Sequence, residues 1–249
     1  MTNSTRFGRA MARGGRGHKP SGLGGMTMTI LDRSSDPHGA EAPVTAGLPL
    51  SSAAFALILV HGRGGSAEGM LPLARASGAS DAAVIALSAA GNSWYPNRFL
   101  APTSQNQPWL SSALAAVDRT VEGAIAAGIP AERVLLVGFS QGACLSLEYA
   151  ARHPRRLGGV AALAGGLIGE KREQNYSGDM AGTPVLLACG DADEHIPVEL
   201  VRSSADVFST LGANVDMRVY PGINHTIVGD QLEALRDMID AVRATVPAG

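Results

Sequence analysis

Short apolar runs and longer amphipathic stretches alternate along the chain from about residue 53 onward. The runs are mostly continuous, which is typical of parallel strands that are covered on both faces. We predict strands at 55–60, 83–87, 134–137, 159–163, 185–188 and 215–219. We predict helices in the stretches between them, at 66–77, 111–128, 142–153, 197–211 and 230–245. This alternation predicts an α/β fold, with a doubly wound, mostly parallel sheet and helices on both faces.

The first 25 residues differ from the rest of the chain in composition. Basic residues stand there among glycine, serine and threonine with no acidic residue: Arg6, Arg9, Arg13, Arg16 and Lys19. Such a segment cannot bury enough apolar surface to offset its ordering entropy, so we predict a disordered tail at 1–25. It is either a basic arm for an anionic partner or, as we favour, an extension without function. Residues 26–249 then form a single domain, in which a strand-like piece at 28–31 and a loop precede the alternation.

The charge and hydropathy of the chain exclude several classes of partner. The 249 residues carry a formal net charge of −2, which gives no reason to expect nucleic acid or an anionic membrane. No segment approaches the roughly 20 apolar residues of a membrane span, and the N-terminus lacks the apolar core of a secretory signal. Cys144 and Cys189 lie in apolar runs, so we expect free, buried thiols. These features predict a cytoplasmic protein without stable membrane association.

One turn has the pattern of a reactive serine. Gly138-Phe139-Ser140-Gln141-Gly142 follows a predicted strand and precedes a predicted helix. In a nucleophile elbow this turn is so tight that the residues flanking the serine need very small side chains, and the strained backbone exposes the hydroxyl. The pattern is weak evidence by itself. Together with the strand before it and the helix after it, it predicts that Ser140 is a nucleophile.

A serine hydroxyl needs a base that takes its proton, and His225 is our candidate. It lies in a loop after the last predicted strand, where the base lies when the chain order is Ser, acid, His. His61 begins the turn after the first core strand, and we expect it to shape that turn rather than to titrate in catalysis. The other histidines are predicted to occupy helix-end, loop or disordered positions: His18, His38, His153 and His195.

The acid that orients the base is expected after the strand at 185–188. The segment 190–197 has three carboxylates there, Asp191, Asp193 and Glu194, and spacing does not separate Asp191 from Asp193.

Histidine and carboxylate side chains can also hold a metal. However, these residues lack helical metal-ligand spacing and no Cys/His cluster is present, so we expect neither a metal nor a cofactor.

Two backbone N–H groups are expected to bind the oxyanion of a tetrahedral intermediate. One belongs to Gln141, the residue after the serine, and the other to a loop after an early strand. The loop 61–65 has the sequence HGRGG, and its glycines let the backbone approach a reacting oxygen, so Arg63 is the second donor. The Arg63 side chain either meets a carboxylate on the substrate or, as we favour, pairs with an acid of the protein.

Two stretches interrupt the alternation of strands and helices, at 88–110 and 165–183. Both follow predicted strands, and ligands of open α/β sheets bind beyond the carboxyl ends of strands, so both can reach that edge. The first stretch is rich in aromatic residues. We therefore predict that Trp94, Tyr95 and Phe99 form a wall of the substrate pocket.

With these residues in place, the chain resembles the phospholipase/carboxylesterase family of α/β-hydrolases, which includes bacterial carboxylesterases and acyl-protein thioesterases. The matching segments are 59–65, 93–95, 138–143, 190–197 and 220–225. The resemblance implies an α/β-hydrolase fold without a large cap domain. It also places the acid on Asp193, three positions before Ile196-Pro197. Relatives that act on lipidated proteins usually carry an apolar residue in place of Arg63, so the HGRGG loop is more similar to the bacterial branch of small esterases.

The residues and the resemblance together predict a serine carboxylesterase that works through an acyl-enzyme, with Ser140, His225 and Asp193 as its triad. The small chain leaves little room for a lid, so we expect small-molecule esters of short or medium acyl length as substrates. A thioesterase or a lysophospholipase could use the same triad. A non-catalytic binding protein on a hydrolase fold is a more distant alternative. The sequence leaves open whether the chain is a monomer or a homodimer.

Overall fold

The computed structural model describes residues 35–170 and 175–246. The tail predicted at 1–25 and the strand-like piece at 28–31 lie outside these described residues. The strands are β1 (Val44–Gly47), β2 (Phe55–Val60), β3 (Ala82–Leu87), β4 (Val134–Phe139), β5 (Gly159–Leu163), β6 (Pro184–Gly190) and β7 (Asn214–Tyr220). In this part of the chain they form one sheet in the order β1-β3-β2-β4-β5-β6-β7. Strands β2 to β7 pair in parallel with one another, and the edge strand β1 pairs antiparallel with β3.

The described residues contain five α-helices, four of which connect consecutive strands, while the fifth follows the last strand. They are α1 (Ala67–Ala76), α2 (Trp109–Ala126), α3 (Gln141–Arg152), α4 (Val198–Thr210) and α5 (Gly229–Ala244). Each helix, like each of the six predicted strands, begins and ends within two residues of its predicted bounds. The Ser66 side chain caps α1 by accepting the Gly69 N–H at 3.2 Å, and Gly212 follows α4 with a φ of 74°.

The hydrophobic pattern predicts a loop before residue 53, but the structure has the short strand β1 there. β1 pairs with β3, with Val44 opposite Ala86 and Gly47 opposite Ala83. Its residues alternate between half-buried and exposed, because only one face of this edge strand is packed. Four residues with one large apolar side chain are too few for a period-two signal, so pairing with β3 alone reveals the strand.

The two faces of the sheet are covered by different helices. In the central strand β2, Leu57 and Leu59 pack in the cluster that contains the buried faces of α1 and α5. Their neighbours Ile58 and Val60 pack in the cluster that contains the buried faces of α2, α3 and α4. All four side chains are fully buried, which explains why the central strands are continuous apolar runs.

The carboxyl ends of β2, β4, β6 and β7 lie at one edge of the sheet because these strands are parallel. The segments that leave them at that edge are 61–65, the turn at Ser140, 191–197 and 221–228. The topology thus brings together the four segments that carry the predicted chemistry.

The described residues contain no helix that is both long and apolar enough to cross a membrane. In the same part of the chain, no group of three or more His, Cys, Asp or Glu residues is arranged to hold a metal ion. Cys144 and Cys189 are free and buried, which confirms the predicted thiols. Burial raises the pKa of Cys144 to about 12 and that of Cys189 to about 11, so both are protonated at neutral pH.

Candidate active site

Ser140 lies between β4 and α3 in a strained backbone conformation, with φ 55° and ψ −120°. Hydrogen bonds hold this conformation on both sides. The Ser140 N–H donates to the Leu163 carbonyl at 2.9 Å, and the Ser140 carbonyl accepts the Cys144 N–H at 3.0 Å. Because the main chain is held in this way, the hydroxyl has a defined position at the carboxyl edge of the sheet.

Gly138 and Gly142 flank the serine where the turn has no room for a side chain. A Cβ atom on Gly138 would overlap the backbone of Gly142, and one on Gly142 would overlap the carbonyl oxygen of Val60. The close approach of α3 to β2 and β4 therefore requires glycine at both positions.

Gly142→Ala is expected to lower the free energy of unfolding by at least about 2 kcal/mol, because the added methyl group displaces backbone atoms that cannot rotate away. Urea denaturation measures this difference. Gly123→Ala is the matched control, since Gly123 is exposed on α2 and has open space around its Cβ position. The control should be more stable than the wild type by about 0.5–1 kcal/mol. Equal stabilities for the two variants would contradict the packing described for the elbow.

Three side chains from distant parts of the sequence form a continuous hydrogen-bonded chain. The Ser140 Oγ lies 2.8 Å from His225 Nε2, and His225 Nδ1 lies 2.7 Å from Asp193 Oδ2. The His225 ring also packs against the rings of Phe139 and His195, with centroids 5.1 and 4.8 Å away. In the tautomer that fits both bonds, Nδ1 donates to the carboxylate and Nε2 accepts the serine proton.

The two aspartates that spacing could not separate have different partners. Asp193 has a fully buried side chain, and its Oδ1 accepts the N–H groups of His195 and Ile196 at 2.8 and 3.0 Å. Burial raises its pKa, but the bonds from His225 and the two N–H groups outweigh burial and hold the pKa below its ordinary value. Asp191 instead accepts the Gly222 N–H at 2.6 Å, which ties together the loops after β6 and β7.

The backbone N–H groups of Arg63 and Gln141 have no acceptor among the residues that the structure describes. Gln141 is the first residue of α3, so its N–H lacks a partner within the helix and lies at the positive end of the helix dipole. The loop 61–65 comes close to the elbow, since a Cβ on Gly62 would lie 3.1 Å from the Ser140 Cβ. Two unpaired donors beside the serine are an arrangement that can bind an oxyanion.

His61 is buried and holds the loop 61–65 in place. Its Nδ1 donates to the Gly62 carbonyl at 2.7 Å, and its Nε2 accepts the Ala89 N–H at 3.3 Å. Burial lowers the pKa of His61, so its ring is neutral at pH 7. These contacts agree with the expected role in shaping the turn.

Trp94 is fully buried behind this loop, and its indole N–H donates to the His61 carbonyl at 2.8 Å. It does not line the cavity, so the prediction that Trp94 forms part of the pocket wall is wrong. A buried indole needs an acceptor for its N–H, and the nearest one lies beneath the loop rather than at the cavity surface.

The Arg63 guanidinium has an internal role, but its partners are not acidic. It donates to Ser93 Oγ at 3.2 Å and to the carbonyl oxygens of Pro96 and Asn97 at 2.9 and 2.7 Å. No carboxylate of the described residues forms an ion pair with it. The prediction of an acidic partner is therefore wrong, because carbonyl oxygens of a tight loop satisfy the fork of donors instead.

An open cavity of about 650 Å³ lies in front of Ser140 and His225. Tyr95 and Phe99 line it, in agreement with the predicted aromatic wall. The other residues that line it are Arg63, Pro96, Asn97, Arg98, Gln141, Glu194, His195 and Ile196. Its surface is therefore partly apolar and partly charged, and it is open to solvent.

The stretch 165–183, which could have reached this edge, packs against α3 in its described part. The Ile168 N–H and the Tyr176 hydroxyl donate to the buried carboxylate of Glu148 at 3.0 and 2.8 Å. These bonds attach the stretch to α3 at Glu148. Its described residues do not line the cavity.

Sequence reasoning did not place Arg98, Glu194 and His195 in the cavity. Their positions in the sequence could have indicated it, because Arg98 lies within the aromatic stretch 88–110 and Glu194 and His195 lie in the loop that carries Asp193. His38, predicted as a loop residue, is buried, and its ring bonds to Trp94 and Ala90. Nothing in the local sequence around His38 indicates this role.

Comparison with known proteins identifies the family. A sequence model of the phospholipase/carboxylesterase family matches residues 48–243. This segment is most of the chain, and it includes Ser140, His225, Asp193 and the two residues with unpaired N–H groups beside the serine. The chain belongs to this family. The family prediction made from the sequence motifs is confirmed.

A solved structure and two curated relatives give the same result. The crystal structure of a phospholipase/carboxylesterase from Dyadobacter fermentans is 42% identical, with a TM-score of 0.77, and the match covers 80% of this chain and 96% of that one. A probable carboxylesterase of Oryza sativa is 30% identical over 59% of this chain, and acyl-protein thioesterase 1 of Saccharomyces cerevisiae is 32% identical over 51%. The chain covers 57% and 58% of these two relatives, less than two thirds of their length. The α/β-hydrolase fold predicted for the chain is confirmed.

Proposed function

We propose that the protein is a serine carboxylesterase that hydrolyses short- to medium-chain esters of small molecules through an acyl-enzyme. The observation that carries the proposal is the hydrogen-bonded chain from Ser140 through His225 to Asp193, with bonds of 2.8 and 2.7 Å. All three follow strands at the carboxyl edge of the sheet, and Ser140 and His225 line an open cavity. Membership of a family with carboxylesterases among its members supports the same activity.

In the proposed reaction, Ser140 Oγ attacks the ester carbonyl while its proton moves to His225 Nε2. Asp193 holds the ring in the tautomer that can accept this proton and stabilises the imidazolium that forms. The N–H groups of Arg63 and Gln141 bind the oxyanion. His225 then protonates the leaving alcohol. A water molecule activated by the same ring attacks the acyl-enzyme, and Ser140 and the carboxylic acid are released.

The size and lining of the cavity support small esters as substrates. A volume of about 650 Å³ can hold an acyl group and an alcohol of drug-like size together. Its apolar lining residues are Tyr95, Pro96, Phe99 and Ile196, and the rest of the lining is polar, with charged side chains at Arg63, Arg98 and Glu194. A long acyl chain would have to lie against those charges and desolvate them, which is unfavourable.

A fluorophosphonate probe tests the proposal directly, because it forms a phosphonyl ester with an activated serine and not with an ordinary one. We expect labelling of the folded wild-type protein at Ser140 and none of Ser140→Ala. Absence of labelling in the folded wild type would refute the proposed serine esterase. Peptide mapping of the labelled protein excludes reaction at another serine.

A series of p-nitrophenyl esters tests the acyl-length part of the proposal. We expect kcat/KM to be highest for acyl groups of about four to eight carbons and to fall by at least about tenfold at sixteen carbons, because the longer chain leaves the apolar part of the cavity. Assays below the micelle concentration of the long esters keep the comparison valid. A rate that rises up to sixteen carbons would contradict the proposed substrate length.

The same triad can hydrolyse thioesters, and relatives named acyl-protein thioesterase favour this second function. Matched oxygen and sulfur esters with the same acyl group separate the two activities. We expect a higher kcat/KM for the oxygen ester once each value is divided by the rate at which base hydrolyses that ester.

The free, buried thiols of Cys144 and Cys189 support a reducing, cytoplasmic location for either activity.

A further inference from the structure

The backbone of one loop beside the cavity is held almost entirely by side chains from other segments. This loop, residues 93–97, is called the wall loop here because Tyr95, Pro96 and Asn97 line the cavity. Gln141 bonds to it at two points: its Oε1 accepts the Trp94 N–H at 3.0 Å, and its Nε2 donates to the Tyr95 carbonyl at 2.8 Å. The Gln141 side-chain amide therefore pairs with the loop as a neighbouring strand would.

Arg63 bonds to both ends of the wall loop. Its guanidinium donates to Ser93 Oγ and to the carbonyl oxygens of Pro96 and Asn97. The Cζ atom of the guanidinium lies 6.0 Å from the centre of the Tyr95 ring. A planar fork with several donors can hold two carbonyl groups in a fixed relation, which a single ammonium group cannot do. Arg63 and Gln141 together thus bond to all five wall-loop residues, through backbone groups or the Ser93 hydroxyl.

The two residues that hold the wall loop are also the two whose backbone N–H groups lie unpaired beside Ser140. We propose that the side chains of Arg63 and Gln141 are positioning residues that fix the oxyanion site through the wall loop. Each side chain anchors its own main chain, so the direction of each N–H depends on bonds to the same five residues. The wall loop is then a fixed part of the catalytic apparatus rather than a lid. This inference rests on the proposed esterase function.

Catalysis is sensitive to such positioning. Oxyanion donors act only when they point to where the negative charge develops, and a displacement of about 1 Å can lower the rate by about 100-fold. A substrate in its ground state has no oxyanion and depends less on this direction. Loss of the wall-loop bonds should therefore affect kcat and the binding of oxyanion-like inhibitors more than it affects KM.

Gln141→Met and Arg63→Met test the proposal, since methionine keeps much of the length of each side chain and removes its hydrogen bonds. The readouts are kcat and KM for p-nitrophenyl butyrate and the inhibition constant of an alkyl trifluoromethyl ketone. The serine oxygen adds to the carbonyl carbon of the ketone, and the carbonyl oxygen of the ketone becomes an oxyanion. We expect kcat to fall by about 10–100-fold in each variant, the inhibition constant to rise by a similar factor, and KM to change by less than about threefold.

Gln231→Met is the matched control. Gln231 is also a buried glutamine in the first turn of a helix. Its Oε1 accepts the Val228 N–H at 3.2 Å, but it lies outside the cavity lining. The same substitution there should lower the melting temperature and leave kcat within about twofold of the wild type. Arg63→Lys, which keeps the charge and loses the fork, should retain more activity than Arg63→Met.

The proposal fails if the methionine variants lose thermal stability while kcat and the ketone inhibition constant stay within twofold of the wild type. It also fails if KM rises and kcat does not change, because the wall loop would then only bind substrate. Arg63 is exposed, so its variants should fold even if Gln141→Met does not. A wild-type protein that neither reacts with fluorophosphonate nor hydrolyses esters would refute the proposed function itself, which is a separate outcome.

Discussion

Replacing Ser140 with alanine is expected to lower kcat for p-nitrophenyl butyrate by about 10⁴–10⁶-fold, because the variant cannot form the acyl-enzyme. His225 and the two N–H donors would remain, so the residual rate should still exceed that of the uncatalysed reaction. Single-turnover assays at high enzyme concentration measure this residual rate. The strained backbone at residue 140 does not depend on the hydroxyl, so the fold should persist in the variant.

Ser146→Ala is the control for this variant. Ser146 is a buried serine in α3, and its hydroxyl donates to the Gly142 carbonyl at 2.8 Å without lining the cavity. Its replacement should leave kcat within about threefold of the wild type. If Ser140→Ala keeps more than about 1% of the wild-type kcat, Ser140 is not the nucleophile.

The second large effect is expected from Asp193→Asn, which should lower kcat by about 10³–10⁴-fold. An asparagine amide can present an N–H group to His225 Nδ1, which favours the tautomer whose Nε2 carries a proton and cannot accept one from Ser140. Asp191→Asn is the matched comparison in the same loop. Its oxygen can still accept the Gly222 N–H, so kcat should fall by less than about tenfold. If Asp191→Asn is the more damaging change, the proposed acid is wrong.

Asp193→Asn should also differ from the wild type in the pH dependence of its stability. The pKa of Asp193 is lower in the folded chain than in the unfolded chain, so its carboxylate stabilises the fold above about pH 4. This contribution is lost as the pH falls through the folded-state pKa. The free energy of unfolding should therefore decline more steeply between about pH 5 and pH 2 in the wild type than in Asp193→Asn. Identical slopes would contradict the lowered pKa.

Most of the fold could be predicted from the sequence because it depends on local and repeated physical signals. The central strands are covered on both faces, so they are continuous apolar runs such as 55–60 and 134–137. The helices between them each bury one face and are therefore amphipathic. The strand β1 is the exception, because a four-residue edge strand needs its partner β3 to be recognised.

Part of the site could also be predicted, since the topology of parallel strands sends all carboxyl ends to one edge. Ser140 and His225 follow β4 and β7, and the structure brings their side chains to 2.8 Å of each other. Their catalytic roles remain a proposal until the variants are measured. The choice between Asp191 and Asp193 could not come from spacing, because both follow β6 within three residues and only their side-chain partners differ.

By itself, the sequence determined the order and type of the main elements, the elbow with its two glycines, and the family to which the chain belongs. These features depend on the periodicity of apolar residues and on short motifs, both of which are local. Only the tertiary structure decided which side chains meet: that Trp94 is buried against the loop 61–65 instead of forming the predicted pocket wall, that Arg63 bonds to carbonyl oxygens, and that Gln141 holds the wall loop. Hydrogen bonds between residues 30 to 50 positions apart depend on where the folded chain places each donor and acceptor, and no local pattern records that.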